Sequence, residues 1–141
     1  MLGRERTTHI LEKALSLSRA DHTEAVILSQ QSALTRFARN AIHQNVAEDD
    51  AVLRLRAVLG QQVGVASGND LSPEGIQALA DDALAAARLQ PPDPGFPGLP
   101  GPQQYSVVSG YFEATAACSP ERRARLVGNL CRKAETKGLC A

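Results

Sequence analysis

The sequence predicts an α+β fold, an antiparallel meander of three to four strands with helices packed on one face, then a proline-rich linker and a strand–helix tail. Three observations carry this. Residues 51–59 alternate strictly, with Leu53, Leu55, Ala57 and Leu59 on one side and Val52, Arg54, Arg56 and Val58 on the other, the period-two signature of a half-buried antiparallel strand. Residues 76–87 place Ile76, Leu79, Ala80, Ala83, Leu84 and Ala87 at the spacing of one helical face. Between 90 and 104 lie six prolines and three glycines, which exclude both helix and sheet interior.

Taken in order, residues 5–20 form a first helix, with Ile10, Leu11, Ala14, Leu15 and Ser18 on one stripe and Thr7 or Thr8 as a cap. Asp21 to Thr23 break it, and a strand follows over 24–30. Gln31-Ser32 reads as a turn into a second strand running to about Gln44, with a bulge at Asn40-Ala41. Glu48-Asp49-Asp50 reads as a hairpin tip before the alternating strand. Gly60 turns the chain into a short return strand carrying Val63 and Val65. Ser72-Pro73-Glu74 supplies an N-cap, a first-turn proline and a first-turn acid for the next helix. Phe96 and Leu99 hint that the proline-rich segment is tacked down. Residues 105–117 read as strand interrupted by Gly110. Ser119-Pro120-Glu121 repeats the earlier helix start, and Gly138 reads as the C-cap of that last helix. These signals divide the chain into a 1–90 helix–sheet–helix domain, a 91–104 linker and a 105–141 start of a second domain that reads as truncated at Ala141.

Composition narrows the function classes. Fifteen basic and fifteen acidic side chains balance; residues 1–90 hold nine and eleven, residues 91–141 six and four. Nucleic-acid surfaces need basic clustering and stacking aromatics, and tryptophan is absent. Arg54 and Arg56 on the outer sheet face are too few to change that, so no nucleic-acid partner is expected. No apolar run reaches the roughly 18 residues of a membrane span, and residues 1–9 hold no signal-peptide core, so a cytoplasmic protein without a membrane partner is expected. Cys118, Cys131 and Cys140 are odd in number and lack metal spacing, which predicts free thiols, Cys131 as a small core residue.

Candidate chemistry is thin. His9 and His22 read as solvated, and Glu48-Asp49-Asp50 lacks the glycine and ligand spacing of a cation loop. His43 beside those acids has no nucleophile or oxyanion donor to work with. Arg122, Arg123, Arg125, Arg132 and Lys133 read as the solvated face of the last helix. No catalytic, cofactor-binding or metal-binding residue is assigned.

The order of elements, with residues 24–31 (EAVILSQQ), 34–44 (LTRFARNAIHQ), 63–71 (VGVASGNDL), 71–87, 91–94 and 118–141 (CSPERRARLVGNLCRKAETKGLCA), resembles the N-terminal part of the TldD/PmbA family, the modulator of DNA gyrase proteins. The resemblance implies zinc peptidases built as pairs of subunits around a cavity for unfolded or small peptides. Zinc is held there by a His-Glu-x-x-x-His helix and downstream ligands in a C-terminal domain. This sequence has no such motif, so no cofactor is expected in this chain. The expected role is a non-catalytic N-terminal domain scaffolding subunit assembly and the peptide cavity, with homo- or hetero-oligomeric TldD/PmbA-type partners. The alternative is a free-standing protein-interaction module.

Overall fold

A computed structural model describes residues 2–141. Its elements are α1 (Arg4–Leu17), β1 (His22–Ala38), β2 (Ala41–Leu59), β3 (Gln62–Gly68), α2 (Pro73–Leu89), α3 (Glu113–Ala116) and α4 (Pro120–Glu135). The strands form one three-stranded sheet in the order β1-β2-β3. The chain divides into two compact units, one of residues up to Gln30 with Asp50–Gln103, the other of Gln31–Asp49 with Gln104–Ala141. The two long strands pass through both.

The first unit holds the core. Antiparallel pairing of β2 with β3 sets Leu55 opposite Ala66, Ala57 opposite Gly64 and Leu59 opposite Gln62. Leu53, Leu55 and Ala57 are almost wholly buried, Arg54 is exposed and Arg56 half-buried, as the alternation requires, but it lapses at the end of the strand, where Val58 is buried and Leu59 only half-buried. Helix α2 covers β3, and α1 packs against α2. The cluster joins Ile10 and Ala14 of α1 to Ile76, Leu79, Ala80, Ala83 and Ala87 of α2. Alanine buries little area, so this core gains by close approach what it lacks in side-chain bulk. Gly64 shows how close. A Cβ there would lie 2.8 Å from the carbonyl carbon of Ala86 and nearer still to the Ala87 nitrogen and Ala83 oxygen. Glycine inside a strand often marks such an approach of one backbone to another.

Helix α2 starts as its sequence dictates. Ser72 Oγ accepts from the Gly75 amide at 3.1 Å, with Pro73 at the first turn and Glu74 beside it. Asp70 accepts from the Ser72 amide at 3.0 Å. That backbone bond, then the Ser72 hydroxyl, holds the Asp70 carboxyl below its ordinary value of 3.8. Ser72→Ala removes a satisfied cap and should cost about 1 kcal/mol in urea unfolding.

Several boundaries differ from those predicted. Helix α1 begins earlier, capped by Gly3 rather than by Thr7 or Thr8; the Thr7 hydroxyl instead donates to the Gly3 carbonyl at 3.0 Å. Gln31-Ser32 is no turn, nor is Glu48-Asp49-Asp50 a hairpin tip, for β1 and β2 run straight through them. The reversal lies at Arg39-Asn40, with φ of 52° and 60°. Positive φ at both residues is the geometry of a hairpin turn, one that asparagine favours, so Asn40 lies in the turn itself. The sheet therefore has three strands. The second reversal, at Gly60 with φ 56°, stands where predicted.

The proline-rich segment is tied to the β2–β3 turn at its start. The Asp93 amide donates to the Gln61 carbonyl at 2.9 Å, and Gln62 Nε2 donates to the Gln90 carbonyl at 2.5 Å. Residues 101–112 form no strand. Their β-branched and aromatic side chains suit a sheet, but no neighbouring strand supplies a ladder; the tail's regular structure is α3 and α4.

Candidate functional site

In the second unit, residues 31–38 of β1 and 41–49 of β2 form an arm that carries polar side chains on both faces, among apolar ones such as Leu34, Phe37 and Val46. Gln31 Nε2 donates to Asp49 Oδ2 at 2.7 Å, Ser32 Oγ to Glu48 Oε2 at 3.5 Å, Thr35 Oγ1 to Asn45 Oδ1 at 3.2 Å and Arg36 Nη1 to Gln44 Oε1 at 3.2 Å. As one strand steps back a residue its partner steps forward, so cross-strand pairs hold one register along the arm.

The end of α4 is fastened to the tip. Gly138 (φ 66°) closes the helix: its amide donates to Glu135, and the Leu139 amide to Ala134, both at 2.9 Å. This is a Schellman ending, at the glycine the sequence nominated. Asn40 Nδ2 then donates to the Leu139 carbonyl at 3.0 Å and its Oδ1 accepts from the Ala141 amide at 2.8 Å. At the other end of α4, Ser119 Oγ accepts from the Arg122 amide at 3.2 Å. A hydrogen bond from Ser119, then from its own backbone amide, lowers the Glu121 carboxyl below its ordinary value. Arg123 is not the solvated cation predicted. Its Nη1 donates to the Cys118 carbonyl at 2.7 Å and its Nη2 to Asn45 Oδ1 at 3.1 Å, pinning α4 to the arm.

The second unit also carries an exposed apolar strip along residues 105–112, with further exposed leucines on α4. Tyr105, Val107, Val108, Tyr111 and Phe112 are each at least 66% exposed, and Leu126 and Leu130 of α4 are more than half exposed. Tyr111 donates to Glu113 Oε2 at 2.8 Å, a bond that raises its hydroxyl above the ordinary tyrosine value. Cys131 is the buried residue of α4, as predicted; Cys118 is half-buried, Cys140 exposed, and all three are free thiols. An apolar, aromatic strip outside any core is what an association surface presents.

The residues weighed for chemistry do not meet. His9 lies on α1, His22 begins β1 and His43 sits in β2, all exposed. Glu48, Asp49 and Asp50 alternate along an extended strand, which turns adjacent carboxylates to opposite faces. Among the described residues no three His, Cys, Asp or Glu side chains gather to hold a metal ion. A zinc ion thus has no ligand set among them. Among those residues, too, no helix is long and apolar enough to cross a membrane.

Residues 23–87 match the family model described as PmbA/TldA metallopeptidase domain 1. That stretch, just under half of the chain, is similar to the first domain of that family. Its fold is shared with two solved structures. TldE from Thermococcus kodakarensis superposes with a TM-score of 0.79 at 17% identity, over 94% of this chain and 29% of that one. A putative modulator of a DNA gyrase from Thermotoga maritima gives 0.66 at 14% identity, over 86% and 28%. The chain therefore spans less than a third of either protein. No curated protein matches the sequence. The matched stretch takes in the three strands, most of α2 and the Gly64 contact, so the likeness rests on the sheet and its covering helix.

Proposed function

We propose that this chain is the non-catalytic N-terminal domain of a TldD/PmbA-type peptidase, scaffolding subunit assembly and the wall of a cavity that encloses unfolded peptides. The observation that supports it is the correspondence of 94% of this chain to under a third of TldE, together with the metallopeptidase-domain match at 23–87. On this reading the tightly packed first unit is the rigid part. The apolar strip of the second unit is the docking surface for a TldD/PmbA-type subunit, identical or different. Zinc and bond cleavage belong to a catalytic region of the family's type, working in the cytoplasm.

The exposed strip favours a second reading as well, a free-standing module that binds another protein without a peptidase role. One experiment separates them. Light scattering after size exclusion, with the chain alone and mixed with a TldD/PmbA-type subunit, should show a complex with that subunit. The triple variant Val107→Ser, Val108→Ser, Phe112→Ser should lose it while keeping its far-UV spectrum. The chain alone should hold no stoichiometric zinc and cleave no peptide. Zinc with cleavage would overturn the scaffold reading; a chain that ignores the family subunit yet captures another protein would favour the module.

A further inference from the structure

We propose that the cleft between α1 and the start of α2 binds the C-terminal residue of a peptide, its aliphatic side chain on the floor and its free carboxylate at the rim. The cleft measures about 370 Å³ and has Ile10, Leu71 and Ile76 for its floor and Arg6, His9 and Lys13 along one wall. Ile10 and Ile76 are buried and Leu71 half-buried, whereas the three wall residues are exposed. Arg6, His9 and Lys13 follow one another at helical spacings of three and four, so α1 presents them as a single row.

No carboxylate lines this cleft, and among the described residues none of the three is ion-paired. Glu74 and Asp81 line the adjoining groove with Lys13 and Leu17, and Glu5, Glu12 and Asp70 are the acids beside the cleft residues in sequence. A row of basic side chains over an aliphatic floor selects an anion that carries an apolar group.

Size and shape choose among such anions. The volume sits at the low end of ligand sites, enough for one or two residues and too small for a long acyl chain. A small inorganic anion would leave the apolar floor unfilled. A peptide's last residue offers both features on one carbon, a planar carboxylate for the Arg6 fork and an aliphatic side chain for the floor. The cleft opens to solvent, which lets the preceding residues leave as an extended chain. This goes beyond the scaffold reading, and its test uses the chain alone, so failure here leaves that reading intact.

The test is calorimetric and NMR titration of the chain with acetyl-Gly-Gly-Leu, as the free acid and as the C-terminal amide, and with octanoate and inorganic phosphate in separate arms. The free acid should bind in the millimolar range or tighter, shifting Ile10, Leu71 and Ile76 methyl resonances. The amide should bind about tenfold more weakly, as loss of a charge-assisted bond implies. Arg6→Gln with Lys13→Gln should weaken the acid by a similar factor with unchanged melting, since both side chains are exposed. Equal binding of acid and amide, tighter binding of octanoate or phosphate than of the peptide, methyl shifts elsewhere, or no binding in the millimolar range would each overturn the proposal.

Discussion

Gly64→Ala should destabilise the protein by about 3 kcal/mol or more, beyond the usual range for one added methyl group. The reason is what the new Cβ would strike. Side chains can change rotamer, but the obstacles here are backbone atoms of Ala83, Ala86 and Ala87, held in the hydrogen-bond ladder of α2. The helix can yield only as a body, lifting from β3. Ala83 and Ala87, at most 1% exposed, would then leave the sheet together with Leu79 and Ile76. Gly101→Ala is the matched control. Its position has open space around it and no positive φ, so the same substitution should be neutral, or stabilise by a few tenths of a kcal/mol through a stiffer unfolded chain. Urea unfolding of the pair checks both. A Gly64→Ala midpoint within error of the Gly101→Ala midpoint would mean that α2 does not sit on β3 as described.

What the sequence disclosed follows the distribution of buried surface. Where one face is buried, the pattern was legible: Leu53, Leu55 and Ala57 announced the strand, and Ile76 to Ala87 announced the helix that covers it. The arm of the second unit buries neither face well, so nothing forces alternation upon it. Its polar stretches at Gln31-Ser32 and Glu48-Asp49-Asp50 then imitate turns, while the true reversal at Arg39-Asn40 lacks the glycine that commonly advertises one. Residues 105–112 err the other way. Valines and tyrosines carry strand propensity, but propensity measures fit to a pleated surface, and this segment has no strand beside it. Gly64 stands in the sequence as a glycine between two strand valines, but the backbone it meets belongs to Ala83, Ala86 and Ala87, about twenty positions later. The row Arg6, His9, Lys13 could be counted along α1, yet its facing floor comes from Leu71 and Ile76, some sixty positions later. Only the fold brings wall and floor together. The serine caps needed no fold at all, since Ser72 and Ser119 act on amides three residues ahead.

The second large effect concerns the sheet's interior. Leu55→Ala should cost about 3 kcal/mol, within the range for leucine truncation in a well-packed core, and lower the melting temperature by roughly ten degrees or more. Leu55 is 1% exposed and stands opposite Ala66, under a helix whose core face is largely alanine. Small neighbours have few rotamers with which to fill a void, and α2 is already in backbone contact at Gly64, so it cannot settle further toward the sheet. The cavity should therefore persist, placing the cost in the upper half of the truncation range rather than at bare transfer energy. Leu28→Ala, in β1, removes the same atoms from a side chain that is 66% exposed, and its cost should stay within about 0.5 kcal/mol. Differential scanning calorimetry of both variants measures the contrast. If they melt together, burial by α2 does not govern stability, and the rigid first unit assumed for the scaffold role loses its physical basis.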